Sequence, residues 1–157
     1  MSVTIDVEDQ AWDKVPGLEQ LARRVAEAAF AGTGFDATGS ETAILFTDDE
    51  TIAAVNAEWR GKPSPTNILS FPAPDDLPVP EGELRPLGDI VLAWGVIASE
   101  AEAQGKALPD HVAHLIIHGV LHLLGYDHAD GDEAAEMEAL ETSILKGLGI
   151  SDPYERQ

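Results

Sequence analysis

The chain has no cysteine among its 157 residues. This excludes disulfides, a thiolate nucleophile and a cysteine-based structural zinc site, so any metal must be held by His, Asp or Glu. No run approaches the ~20 apolar residues needed to span a bilayer. The opening segment MSVTIDVEDQ lacks the basic cap and apolar core of a signal peptide, so a soluble cytoplasmic protein without membrane partners is expected. Internal repeats and low-complexity tracts are missing as well. Positive charge is scarce: nine Lys and Arg stand against 29 Asp and Glu, a net charge of -20. Such a protein repels a phosphate backbone as a whole, which argues against general nucleic-acid binding. Four of the nine basic residues fall in two short stretches, Arg23 with Arg24 and Arg60 with Lys62, which leaves a local positive patch open.

What remains suits a single compact domain over residues 1–157, with 44% hydrophobic content and no break in composition. Val3, Ile5 and Val7 alternate with polar residues as in a strand with one buried face. Leu18, Leu21, Val25 and Ala28 recur at helical spacing, and Gly32 and Gly34 end that helix. Thr42–Thr47 reads as a central strand. Thr47-Asp-Asp-Glu50 reads as a capping box opening a helix that buries Ile52, Val55 and Trp59 and runs out at Arg60-Gly61. Asn67–Phe71 forms a third strand behind Pro63 and Pro65. The segment Pro72–Pro86, with five of the ten prolines, is a loop of binding or mobile character. Asp89–Ala93 is a fourth strand, and helices follow at about 96–106, 109–124 and 132–147, the last burying Met137, Leu140, Ile144 and Leu148. This order predicts an α+β domain, a four-stranded mixed sheet with about five helices packed on it.

The most informative segment is His118-Gly-Val-Leu-His122-Leu-Leu-Gly125-Tyr-Asp-His128. On a helix, positions four apart lie about 40° from each other around the axis and roughly 6 Å along it, so His118 and His122 can reach one ion. Gly125 can take the left-handed conformation that ends a helix, letting Tyr126 and Asp127 return His128 as a third ligand. Three imidazoles leave the fourth tetrahedral position of a Zn2+ ion to water, the arrangement of catalytic zinc. Such an ion lowers the pKa of water to ~7 and polarises a carbonyl or phosphoryl oxygen. In a purely structural site, Asp127, Asp130 or Asp132 fills that fourth position. His111 and His114, one to two turns earlier on the same helical face, line the approach to the metal or, on the plainer reading, are surface residues or supports of the ligand histidines. Nickel and other divalent ions also accept three imidazoles.

The segment overlaps HExxHxxGxxH, the pattern of the metzincin proteases, at both helical histidines, the glycine and the last histidine. It departs where those proteases place their proton-accepting glutamate, because this chain has Gly119 there. Peptide hydrolysis therefore lacks its usual general base.

A broader likeness takes in more of the chain. HGVLHLLGYDH, Arg60-Gly-Lys, Pro65-Thr-Asn-Ile-Leu-Ser-Phe-Pro72, Leu87-Gly-Asp-Ile90 and Ser151-Asp-Pro-Tyr154 together closely resemble the YbeY family of bacterial rRNA maturation factors. The resemblance implies a zinc-dependent endoribonuclease acting on single-stranded RNA. It implies work in 3′-end maturation of small-subunit rRNA and in ribosome quality control, with the small ribosomal subunit and assembly proteins as partners. By the same resemblance His118, His122 and His128 are the zinc ligands. Arg60 is a functional arginine whose guanidinium suits the charge that grows on phosphate oxygens; as plain structure it is a favourable cation at a helix C-terminus. His114, Asp127 and Asp89 are expected in the cleft or behind the ligands, the alternative for Asp89 being that it only fixes a strand end. Water or the substrate's own 2′-hydroxyl serves as nucleophile, and the two leave different product ends. Two other readings stay open: a metallohydrolase of another substrate, and a non-catalytic ribosome-assembly factor whose zinc holds the helix end in place.

Overall fold

The computed structural model describes residues 1–74, 78–126 and 131–150. His128, Asp127, Asp130 and the segment 151–154 lie outside them. Along the chain run β1 (Ser2–Val7), a 3-10 turn (Gln10–Lys14), α1 (Leu18–Gly32), β2 (Ser40–Thr47), α2 (Asp49–Arg60), β3 (Ile68–Pro72), β4 (Arg85–Ala93), α3 (Trp94–Gln104), α4 (Leu108–Leu123) and α5 (Gly131–Gly147). The strands form one sheet in the order β1-β2-β4-β3. β1, β2 and β4 are parallel and β3 runs antiparallel to β4 on the edge, so the sheet is mixed and the fold α+β, as expected.

Alternation along the strands sorts side chains to the two faces of the sheet. Ile44, Phe46, Ile90 and Leu92 point into the main core, with Ala22, Val25 and Phe30 of α1, Ile116 and Val120 of α4, and Met137 and Leu145 of α5. Leu69, Val91 and Ala93 point the other way, against Ile52 of α2. The sheet therefore separates α2 from α4. Gly119 lets α4 lie close on the sheet: a Cβ there would stand 3.0 Å from Ile68 Cδ1, 3.2 Å from Ile90 Cδ1 and 3.2 Å from Ser70 Oγ.

The joints are made by specific residues. Asp48, not Thr47, caps α2, its carboxylate accepting from Thr51 N at 2.7 Å. Thr47 is still the last residue of β2, and its carbonyl accepts from the Nε1–H of buried Trp12. Asp49, the first residue of α2, reaches across to accept from Val96 N at the start of α3, where Gly95 leaves room for its carboxylate. α3 has no cap of its own, so α2 supplies it. β4 begins at Arg85, four residues before its expected start. Its pairing with β2 jumps from Glu41↔Pro86 to Thr42↔Gly88, a bulge that accommodates a proline in a central strand. Gly88 sits there at φ 136°, with Phe71 O where a Cβ would be.

Two expected burials differ. Trp59 is 68% exposed. It continues the stripe of Ile52 and Val55, but in the last turn of α2 its indole meets the Phe71 ring at 6.0 Å and stays largely open to solvent. Val7, at the end of edge strand β1, is 47% exposed as well.

Candidate active site

α4 carries the histidines on a helix that is apolar almost all round, because it is packed between the sheet and α1, α3 and α5. Its end is a Schellman turn: Tyr126 N donates to Leu121 O, Gly125 N donates to His122 O, and Gly125 has φ 96°. The left-handed residue expected at this glycine is therefore present.

His118 and His122 stack one turn apart with their rings 4.5 Å apart. Their Nε2 atoms point at each other across 3.0 Å. Two imidazoles bound to one tetrahedral zinc at ~2.0–2.1 Å would hold their nitrogens about 3.3 Å apart, so this donor pair fits one such ion with only a slight spreading. Among the described residues no group of three His, Asp or Glu converges on a metal position. The third histidine of the motif, His128, falls outside them.

Behind the pair stands a residue that sequence reasoning missed. Glu141 of α5 is fully buried. Its Oε1 accepts from His118 Nδ1 at 2.9 Å and its Oε2 from His114 Nε2 at 2.5 Å. The signal was available: Glu141 sits four residues after Met137 and three before Ile144, on the face read as core, where a carboxylate is rarely left without a purpose.

One turn earlier, His111 is also buried. Its Nε2 bonds Glu100 Oε1 at 3.1 Å, and Glu100 also accepts from the side-chain amide of Asn67. Burial holds the His111 pKa below its ordinary value, against the opposing pull of the Glu100 hydrogen bond and charge. Nδ1 of His111 is buried and has no hydrogen-bond partner among the described residues, which suits a neutral ring with its proton on Nε2.

Arg60 closes the arrangement from the other side of the sheet. It is exposed at the end of α2, where Gly61 turns the chain at φ 68°. The buried Asn56 then ties down the following loop by donating to Ser64 O at 3.0 Å. A cleft of about 570 Å³ is lined by edge strand β3 together with Arg60, Asn67, His118, His122 and Tyr126. Arg60 thus shares a cleft with both helical histidines. His114 supports His118 through Glu141 and does not line the cleft. Asp89 does not line it either: it is exposed on β4, paired with Phe71 and turned to the α2 face of the sheet. Gly119 is turned to the sheet as well, so a glutamate in the protease position would be driven into Ile68, Ile90 and Ser70.

Fold and cleft together define a class: α+β proteins with a histidine pair on a buried helix, beside the edge strand of a mixed sheet, and an arginine reaching the same groove from the opposite face. A model of the family described as Endoribonuclease YbeY matches residues 5–149. A protein of Azorhizobium caulinodans named endoribonuclease YbeY is 48% identical over 156 residues, covering 98% of this chain and 96% of that one. One of the same name from Paramagnetospirillum magneticum is 47% identical over 160 residues, covering 100% and 98%. The chain belongs to the YbeY endoribonuclease family. The solution structure of a Thermotoga maritima protein, 21% identical, shares the fold with a TM-score of 0.56 over 98% of this chain and 99% of that one.

Proposed function

We propose that this chain is a zinc-dependent endoribonuclease that cuts single-stranded RNA, acting in the cytoplasm on the 3′ end of small-subunit rRNA and in ribosome quality control. The carrying observation is the shared cleft: Arg60 and the pair His118 and His122 line it from opposite faces of the sheet. Membership in a family of endoribonucleases gives the reaction class. In this reading His118 and His122, with His128, hold the zinc. The ion supplies Lewis-acid polarisation of the scissile phosphate and activation of the attacking hydroxyl. Arg60 binds a non-bridging phosphate oxygen and steadies the charge that develops there. The edge strand between them gives the substrate an extended floor, which suits an unpaired strand better than a duplex.

The net charge of -20 sets how substrate is delivered. With so few cations outside the cleft, free RNA binds weakly, and assembly proteins of the small subunit hold the enzyme against its target. No helix among the described residues is long and apolar enough to cross a membrane.

The test joins metal analysis to an RNA-cleavage assay. Arg60→Glu is expected to stay folded and zinc-loaded while cleavage falls by about 100-fold or more, the scale of removing one donor to a transition-state oxyanion. His118→Ala is expected to lose zinc and cleavage together. Cleavage unchanged in Arg60→Glu would overturn its role, and cleavage surviving loss of zinc would point to a contaminating nuclease.

A further inference from the structure

We infer that Glu141 is a positioning residue of the metal centre: its buried carboxyl group fixes the ring of His118 with Nε2 turned toward His122 and braces that ring to α5. The inference rests on the zinc reading of the site proposed above, and it deepens it.

The geometry is specific. Glu141 Oε1 accepts from His118 Nδ1 at 2.9 Å. With Glu141 ionised its oxygens only accept, which puts the proton of His118 on Nδ1 and the lone pair on Nε2. Nε2 is the atom that faces His122 across 3.0 Å. The proton is thereby kept off the nitrogen that must bind metal, and the ring cannot turn without giving up its bond to Glu141. The second oxygen is used as well: Oε2 accepts from His114 Nε2 one turn up α4. Two imidazoles on one helix grip the two oxygens of one carboxyl group on another, which sets the rotation of α4 against α5.

Packing alone does not explain the residue. Glu141 has no exposed surface and lies on the face of α5 with Met137 and Ile144. Replacing buried ionic groups by apolar residues of similar volume is often neutral or stabilising. A leucine would fill the same space, but it would strip His114 and His118 of their shared partner and leave His118 free to carry its proton on either nitrogen.

Two measurements test this. Long-range nitrogen–proton NMR of metal-free wild type is expected to show His118 protonated on Nδ1, and this requires no substitution. Chelator competition with zinc is then expected to give weakening of about 10- to 100-fold for Glu141→Leu, the range for losing such a partner. Glu141→Gln, whose oxygen can still accept from Nδ1, is expected to fall between Glu141→Leu and wild type. A purely structural role would move thermal stability while leaving the order of zinc affinities flat. The inference is overturned if His118 carries its proton on Nε2 in wild type, or if folded Glu141→Leu binds zinc as tightly as wild type with the His118 tautomer unchanged. Wild type that binds no zinc would be a different failure: it would sink the metal reading itself, and this inference with it.

Discussion

Gly88→Ala is expected to be among the more damaging single-methyl additions in this chain, and the reason is local enough to calculate. Gly88 has φ 136°, a region that residues with a Cβ avoid, at a strain of about 1–3 kcal/mol. An added Cβ would also stand 2.7 Å from Leu123 Cδ2, 3.0 Å from Pro72 Cα and closest of all to Phe71 O. Two of these three are backbone atoms of β3, held in register with β4, so they cannot swing aside as a side-chain tip would. Overpacking of this kind adds about 1–3 kcal/mol, and the reduced freedom of the unfolded chain returns about 0.4–1 kcal/mol. The net loss is about 3 kcal/mol, a fall in Tm of roughly 10 °C for a domain of this size. Gly82 supplies the control: it has φ 84° but nothing within 4 Å of a new Cβ, so Gly82→Ala carries the conformational strain alone, about 1 kcal/mol. Urea unfolding followed by tryptophan fluorescence, to which the buried Trp12 contributes, reads both variants on one scale. Equal midpoints for Gly88→Ala and Gly82→Ala would refute the close approach of β4 to the Phe71 carbonyl.

Two further outcomes follow from the same reasoning. His111 is buried and its pKa is held below the ordinary value of 6.5 by burial, with Glu100, Lys106 and His114 as the charged or titrating groups facing it. Between its lowered folded pKa and 6.5 the unfolded chain binds more protons. Its contribution is therefore complete above about pH 6.5 and is lost as the pH falls through the window below. Melting curves from pH 8 to 5 should show wild type losing stability relative to His111→Leu over that interval, and parallel curves would refute the burial argument. At position 119, crowding of a new Cβ by the side-chain ends of Ile68, Ile90 and Ser70 opposes a gain in helix propensity of ~1 kcal/mol, so Gly119→Ala is expected to stay within about 1 kcal/mol of wild type. Gly119→Glu should lose more than about 3 kcal/mol, and a glutamate variant with the wild-type urea midpoint would show that this side of α4 does not lie against the sheet.

Most of the architecture was legible because it rests on periodicity. The helix at Leu18–Gly32, the strands at 42–47 and 89–93 and the three closing helices all announce a buried face by spacing alone. What was not legible depends on neighbours remote in sequence. Trp59 lies on the apolar stripe of its helix, and its exposure is decided by which elements reach the last turn, not by its own spacing. Asp48 and Thr47 are both good caps, and the choice falls to Asp48 because Thr47 is held in β2. The strand at Arg85–Leu87 was hidden by Pro86, which a bulge tolerates. Within the site, the spacing of His118 and His122 gave their convergence directly, and the resemblance brought Arg60 into consideration. Neither could show that Arg60 and the histidines reach one cleft from opposite faces of the sheet. Glu141 was visible only as an acidic residue on an apolar face, and its meaning waits on the contact between α4 and α5.

The edge position of β3 has a consequence for how the cleft can fail. Its lining comes from α2 and α4 on opposite faces of the sheet, with a five-residue strand of a single partner between them. Ser70 faces α4 and Phe71 faces α2, so slippage of β3 by one residue would exchange the two faces and misplace both sides at once. Alignment of the cleft thus depends on a setting that changes only in whole residues: β3 is in register or it is not. The contact at Gly88 that resists an added methyl is the notch that holds this setting.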